Sequence, residues 1–232
     1  MDASIVIPTY NKLSYLRATL RSLQTLDYPQ NSFEVVVVDD GSQDGTGNFL
    51  SAGHFDFRFK TVSHKTNQGR SAARNSGLRL AKGRVVVFLD DDMSVVPEFL
   101  HAHLHEHDQV SKRVVLGNVC STAEVTRTAL IQYLDSRGVH KLKKGQQVPF
   151  RYFATGNVSA ERDLLLAGGL FDERFKEFGG EDLELGYRLH KIGAEFAYAP
   201  RARSYRSDYG DISQLCRRMM TYGRQSLPIL IR

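Results

Sequence analysis

Val85-Val86-Val87-Phe88-Leu89-Asp90-Asp91-Asp92 sets an unbroken apolar run directly against three consecutive carboxylates. Branched and aromatic residues bounded by Gly83 on one side and charge on the other read as a buried strand. The end of that strand delivers three acids to the rim of a sheet. Neighbouring carboxylates about 4 Å apart repel by about 1 kcal/mol in water and about 4 kcal/mol at an effective dielectric of 20. A hard divalent cation removes that repulsion, because carboxylate oxygens suit Mg²⁺ and Mn²⁺. The plainer reading is a solvated acidic turn ahead of the next helix, which Pro97 would open.

Outward from this strand, short apolar runs alternate with helical patterns. Ser4-Ile5-Val6-Ile7 reads as a strand. Leu13, Leu16, Leu20, Leu23 and Leu26 recur at helical spacing and predict an amphipathic helix. Phe33 to Val38 is a second strand, and Asp44-Gly45-Thr46 opens a short helix. Phe55, Phe57 and Phe59 alternate with other residues as in a half-exposed strand. Asn67 to Ala81 is helical by pattern and stops at Gly83. This βαβαβ rhythm predicts an α/β fold, a mostly parallel sheet with helices on both faces. Ligands bind such sheets at the carboxyl ends of the strands.

Those ends carry further chemistry. The first strand leads into Pro8-Thr9-Tyr10-Asn11, the second into Asp39-Asp40-Gly41-Ser42. A Tyr10 ring could stack on a nucleobase while the Asp40 carboxylate accepts a base N–H; singly, Tyr10 also reads as a packing aromatic and Asp40 as a turn residue. Asn67-Gln68-Gly69-Arg70, with Arg74-Asn75, places cations at a helix start, where a pyrophosphate can be held.

Composition bounds the remainder. The 232 residues suffice for one large domain, and 25% charged against 41% hydrophobic residues is ordinary for a globular protein. A net charge of +5, scattered along the chain, predicts no nucleic-acid partner. Two cysteines exclude a disulfide framework and fit a reducing, cytoplasmic setting. No signal peptide is expected, since Met1 leads almost directly into a strand, and no apolar stretch approaches the ~20 residues that span a bilayer. The apolar ending Leu227-Pro228-Ile229-Leu230-Ile231-Arg232 predicts a piece of a longer polypeptide.

The motifs IPTYN, VVVVDDGSQDGT, NQGRSAARNSG, VVVFLDDDMSVVPEFL and FGGEDLELGYRL occur in this order, and their combination closely resembles the family 2 glycosyltransferases of GT-A fold, from about Ile5 to Gly223. The resemblance implies a single GT-A domain over 1–232, with a nucleotide-sugar part at about 1–120 and an acceptor and catalytic-base part at about 121–232. It implies inverting transfer of a sugar from a nucleotide-diphosphate sugar, UDP-sugar favoured, to the hydroxyl of a carbohydrate, lipid-linked or small-molecule acceptor. It further implies a divalent cation, Mn²⁺ or Mg²⁺, held by Asp92 with Asp90, and Asp90 and Asp91 near the ribose and the metal shell. Pro8, Thr9, Tyr10 and Asp40 would form the base pocket, and Asn67, Gly69, Arg70 and Arg74 would assist the donor. Ala154-Thr155-Gly156-Asn157-Val158-Ser159 resembles a small-residue strand beneath the sugar. Asp182 is the expected general base, with Glu181 second and better suited to capping the helix. Leu183, Tyr187 and Leu189 of that helix are expected to face inward.

Two departures from the family pattern stand out. Arg206, in Pro200-Arg201-Ala202-Arg203-Ser204-Tyr205-Arg206, stands where many members carry a metal-binding His; here it is expected to stabilise the departing diphosphate. Gln214-Leu215-Cys216-Arg217-Arg218, in a chain without Trp, departs from the Q-x-x-R-W motif of processive synthases, so a non-processive enzyme is expected. The loop Pro8-Thr9-Tyr10-Asn11-Lys12 lacks the Gly-rich basic character of a sugar nucleotidyltransferase. A non-catalytic nucleotide- or carbohydrate-binding module of a larger protein is the alternative from another class. His101, His103, His105 and His107 contain i, i+4 pairs but are read as a solvent-facing helix rather than a metal site. Cys120 and Cys216 are read as buried small hydrophobes. Lys141-Leu142-Lys143-Lys144-Gly145 is expected near the acceptor entrance, or against anionic headgroups as a peripheral contact at the inner face of a membrane.

Overall fold

The computed structural model describes residues 1–108, 110–121, 128–135, 139 and 148–231; the lysine-rich segment 141–145 lies outside them. In chain order the elements are β1 (Ala3–Thr9), α1 (Leu13–Gln24), β2 (Phe33–Asp39), α2 (Thr46–Ala52), β3 (Arg58–Ser63), α3 (Arg70–Leu80), β4 (Val85–Leu89), β5 (Met93–Val95), α4 (Phe99–His107) and β6 (Arg113–Ser121). Then follow α5 (Ala129–Asp135), a 3₁₀ turn (Phe150–Tyr152), β7 (Asn157–Glu161), α6 (Arg162–Ala167), α7 (Glu181–Lys191), β8 (Glu195–Arg206), α8 (Ile212–Thr221), a π turn (Tyr222–Ser226) and α9 (Leu227–Leu230).

The strands form one sheet in the order β3-β2-β1-β4-β7-β6-β8-β5. β3, β2, β1 and β4 run parallel. β7 pairs antiparallel with both β4 and β6, while β6 and β8 are parallel. β2 and β4 are buried throughout, and β1 at every residue but Pro8, because helices cover both faces of the parallel part. The pleat sorts their side chains. Ile5, Ile7, Val85, Val87 and Leu89 pack with Leu16, Leu20 and Leu23 of α1 and with Phe99 of α4. Val6, Val86 and Phe88 join Leu78 of α3 and Leu185 and Leu189 of α7 on the other face.

α3 lies close to the sheet because its inner face is small: Ser71, Ala72, Ala73 and Gly77 are buried. A Cβ on Gly77 would fall 2.4 Å from Val6 Cγ1 and 3.2 Å from Val38 Cγ2. Gly77→Ala is therefore expected to destabilise by about 1–3 kcal/mol through overpacking. Urea unfolding checks this: the midpoint should fall with an unchanged slope.

Several local expectations need correction. α3 begins at Arg70 rather than Asn67, because the Asp40 carboxylate holds the N–H groups of Gln68 and Gly69 and Gly69 takes φ 93°. The phenylalanine stretch is strand only from Arg58; Phe57 is buried and Phe55 stacks on it, centroids 5.3 Å apart. In α7, Leu185 and Leu189 face inward while Tyr187 is exposed and Leu183 only half-buried. Cys216 is exposed and Cys120 partly buried.

The histidine helix does not face solvent along its length. His103 and His107 are buried against β7, where His103 Nε2 meets Asn157 Oδ1 at 2.8 Å and Ser159 Oγ lies 2.9 Å from His103 Nδ1 and 2.8 Å from His107 Nε2. Burial lowers both rings, to about 4 and about 3, so they stay neutral. No helix among the described residues is long and apolar enough to cross a membrane.

Candidate active site

Parallel strands carry their carboxyl ends to one edge, and β1, β2 and β4 deposit Pro8-Thr9, Asp39-Asp40 and Asp90-Asp91-Asp92 there. Pairing of Met93 in β5 with Arg206 at the end of β8 brings a guanidinium to the same edge. A cavity of about 650 Å³ opens above it. Pro8, Thr9, Tyr10, Asp40, Asn67, Gly69, Arg70, Arg74, Asp90, Asp91, Asp92 and Arg206 all line this cavity. Lys12, Lys176, Phe178, Asp208 and Arg218 line it as well; sequence reasoning missed them as site residues. Lys12, Phe178 and Arg218 stand in stretches already quoted, without a site role, whereas nothing in local pattern points to Lys176 or Asp208.

At one end Tyr10 is 45% exposed, its ring available to a ligand. Asp40 is buried, and its Oδ1 accepts from His64 Nδ1 at 2.6 Å and Gln68 N at 2.9 Å, while Oδ2 accepts from Gly69 N at 2.9 Å. A carboxylate has about four acceptor sites, so among the described residues one remains on Oδ2.

The three acids after β4 have different surroundings. Asp90 takes one guanidinium on each oxygen: Arg74 Nη2 on Oδ1 and Arg206 Nη2 on Oδ2, both at 3.3 Å. Burial would raise its pKa, but Arg74, Arg206 and Arg70 outweigh burial and hold it below the usual carboxylate range. Asp91 accepts from Thr9 Oγ1 at 2.7 Å; burial pushes it up to about 7 despite Lys12 nearby. Asp92 is 8% exposed, with Oδ2 on Lys12 Nζ at 3.1 Å. Its Oδ1 is buried without a hydrogen-bond partner among the described residues, Arg206 Nε standing 4.0 Å away.

Opposite these acids, Gly179 and Gly180, with φ 86° and 97°, turn the chain into α7. Glu181 and Asp182 therefore point back toward Arg74. The Arg74 guanidinium, 3% exposed, lies 3.1 Å from Glu181 Oε1 and 3.9 Å from Asp182 Oδ1 as well as on Asp90. Glu181 gives Oε1 to this ion pair, and its Oε2 is buried without a hydrogen-bond partner among the described residues. Asp182 accepts from Thr155 N at 3.2 Å and Thr155 Oγ1 at 2.9 Å. Burial and the neighbouring Glu181 raise it to about 6 against the pull of Arg74. Gly156 keeps the space between the two acid groups open, since a Cβ there would approach Arg206 Nη2 to 3.1 Å and Asp90 Oδ2 to 3.2 Å.

The donor set suits a hard divalent cation. Asp92 offers a buried, unsatisfied oxygen, and the carboxylates of Asp90, Asp91 and Asp208 line the same cavity. No group of three His, Cys, Asp or Glu side chains converges as a cage among the described residues. The fit is therefore to a cation held by few protein oxygens and completed by water and phosphate.

Comparison with known proteins adds an independent line. The family model described as "Glycosyl transferase family 2" matches residues 4–164. The uncharacterized glycosyltransferase YfnE of Bacillus subtilis (strain 168) is 29% identical, over 84% of this chain and 62% of its own. Among solved structures, TarS 1-349 of S. aureus in complex with UDP-GlcNAc superposes with a TM-score of 0.71, at 24% identity, over 91% of this chain and 60% of its own. Mannosyltransferase PcManGT from Pyrobaculum calidifontis, in complex with GDP-Man and Mn²⁺, superposes with a TM-score of 0.76, at 22% identity, over 99% of this chain and 64% of its own. The chain thus spans less than two thirds of each of these relatives, and the two solved structures share its GT-A fold.

Proposed function

The chain belongs to glycosyltransferase family 2, and from that premise we propose that it is the catalytic domain of an inverting, non-processive glycosyltransferase that uses a divalent cation and a UDP-sugar. The acceptor is a carbohydrate, lipid-linked or small-molecule hydroxyl. One observation carries the reading: a single buried guanidinium, Arg74, touches both an acid of the donor cavity and the carboxylate of Asp182, whose pKa is raised to about 6.

In this reading residues to about 120 hold the donor and the remainder supplies the acceptor side. The base stacks on Tyr10. The single free acceptor site of Asp40 matches the one imide N–H of uracil, whereas guanine offers N–H donors from two neighbouring nitrogens. Arg70, Arg206 and Lys12 face the diphosphate. When bound, a divalent cation on Asp92, with Asp90 and Asp91 close by, supplies Lewis-acid stabilisation of the charge that develops on the leaving group. Asp182 takes the proton of the acceptor hydroxyl as its oxygen bonds to the anomeric carbon, and the bond from that carbon to the diphosphate oxygen breaks on the opposite face. The cations around Asp90 hold the nucleoside diphosphate as it departs.

The experiment is release of nucleoside diphosphate from UDP-sugars with an acceptor panel, with Mn²⁺ and with chelator. Release should require the metal. A base must be deprotonated, so kcat/KM should rise with pH through about 6 and level off above it. A profile flat from pH 5 to 8 would remove Asp182 from the role of base.

A further inference from the structure

Lys12 stands where a cation would meet the acids. Its Nζ lies 3.1 Å from Asp92 Oδ2, 3.2 Å from Asp208 Oδ2 and 3.9 Å from Asp91 Oδ1. These groups come from separate places: Lys12 precedes α1, Asp91 and Asp92 follow β4, and Asp208 lies two residues beyond β8. The ammonium is the charge that gathers them. It leaves the gathering incomplete, because Asp92 Oδ1 is buried and has no hydrogen-bond partner among the described residues.

We propose that Lys12 is a built-in counter-ion that holds this acid cluster closed in the donor-free protein, and that Asp208 is the second protein carboxylate to take the divalent cation once Lys12 has left. The proposal rests on the metal-dependent reading above. A lysine is a compact charge on a flexible stem, and Lys12 is partly exposed at the wall of the donor cavity. It can leave Asp92 and Asp208 for the diphosphate without the backbone moving. Metal alone must displace the ammonium into water, so it binds weakly. Metal with diphosphate offers the ammonium a new partner, so the two ligands bind cooperatively, and the coupling is reciprocal. Asp90 stays with Arg74 and Arg206 throughout.

Calorimetric titration of Mn²⁺ tests this, on the unaltered chain, Lys12→Met, Lys12→Gln and Asp208→Asn, each with and without UDP. In the unaltered chain UDP should tighten Mn²⁺ binding by about 5–150-fold, the usual span of such coupling. Without UDP, both Lys12 variants should bind Mn²⁺ about tenfold more tightly than the unaltered chain, a difference of about 1.4 kcal/mol, and UDP should tighten it further by a smaller factor than in the unaltered chain. Asp208→Asn should weaken Mn²⁺ binding in the presence of UDP by a similar factor. If UDP promotes Mn²⁺ binding to the unaltered chain but neither Lys12 variant tightens it, or Asp208→Asn leaves it unchanged, this inference fails and the metal-dependent reading stands. If no form binds Mn²⁺ with or without UDP, both fail together.

Discussion

Asp182→Asn should lower turnover by about 10²–10⁴-fold, the usual contribution of a positioned general base, while nucleoside diphosphate binds almost as before. The substitution is isosteric; it removes the proton acceptor together with one negative charge 3.9 Å from Arg74. Thr155 can still donate to the remaining amide oxygen, so α7 keeps its start. Asp182 is not among the residues lining the donor cavity, and Arg74 retains both Asp90 and Glu181. Steady-state kinetics beside calorimetry of UDP separates chemistry from binding. A large loss of UDP affinity with turnover intact would make Asp182 a structural residue instead.

Asp92→Asn should reduce transfer by at least about 10²–10³-fold, comparable to removing one group that stabilises transition-state charge. The fold should persist, because the change keeps the shape and Lys12 keeps Asp208. The ion-pair geometry also sets what excess metal can do. Asp90 carries a guanidinium on each oxygen, and those two positive charges oppose a cation there, so raising Mn²⁺ should not restore the rate. Near-normal turnover with an unchanged melting temperature would remove Asp92 from the metal site.

How far such residues were legible depends on the reach of the interactions that place them. β4 was readable to the residue, because an unbroken apolar run between Gly83 and three acids has one reasonable reading. The parallel half followed from its rhythm, and that half puts strand ends together, so residues scattered from Pro8 to Arg74 could be assigned to one rim. The start of α3 was misread because a carboxylate 28 residues earlier captures Gln68 N–H, and helical periodicity cannot register that. His103 and His107 were misread for the same reason; their partners, Asn157 and Ser159, lie 54 and 52 residues on. Asp208 was invisible because it reaches the acids only through β5–β8 pairing across the sheet.

The place of β7 has a consequence for how the protein is made. β4, the strand that carries the acids, sits between β1 and β7, and β7 begins only at Asn157. A nascent chain that has emerged through Leu89 can pair Val85–Leu89 on one side alone. The other side of that strand, apolar and rich in valine, is an open template for a second chain until some seventy further residues have been added, and such edges are where chains associate wrongly. The parallel half of the sheet thus keeps an open edge until β7 pairs with β4. Its safest moment arrives when the late strand closes the edge; at that same step Gly156 comes up beside Asp90, so protection from aggregation comes before Asp182, Arg206 and Asp208 have reached the same rim.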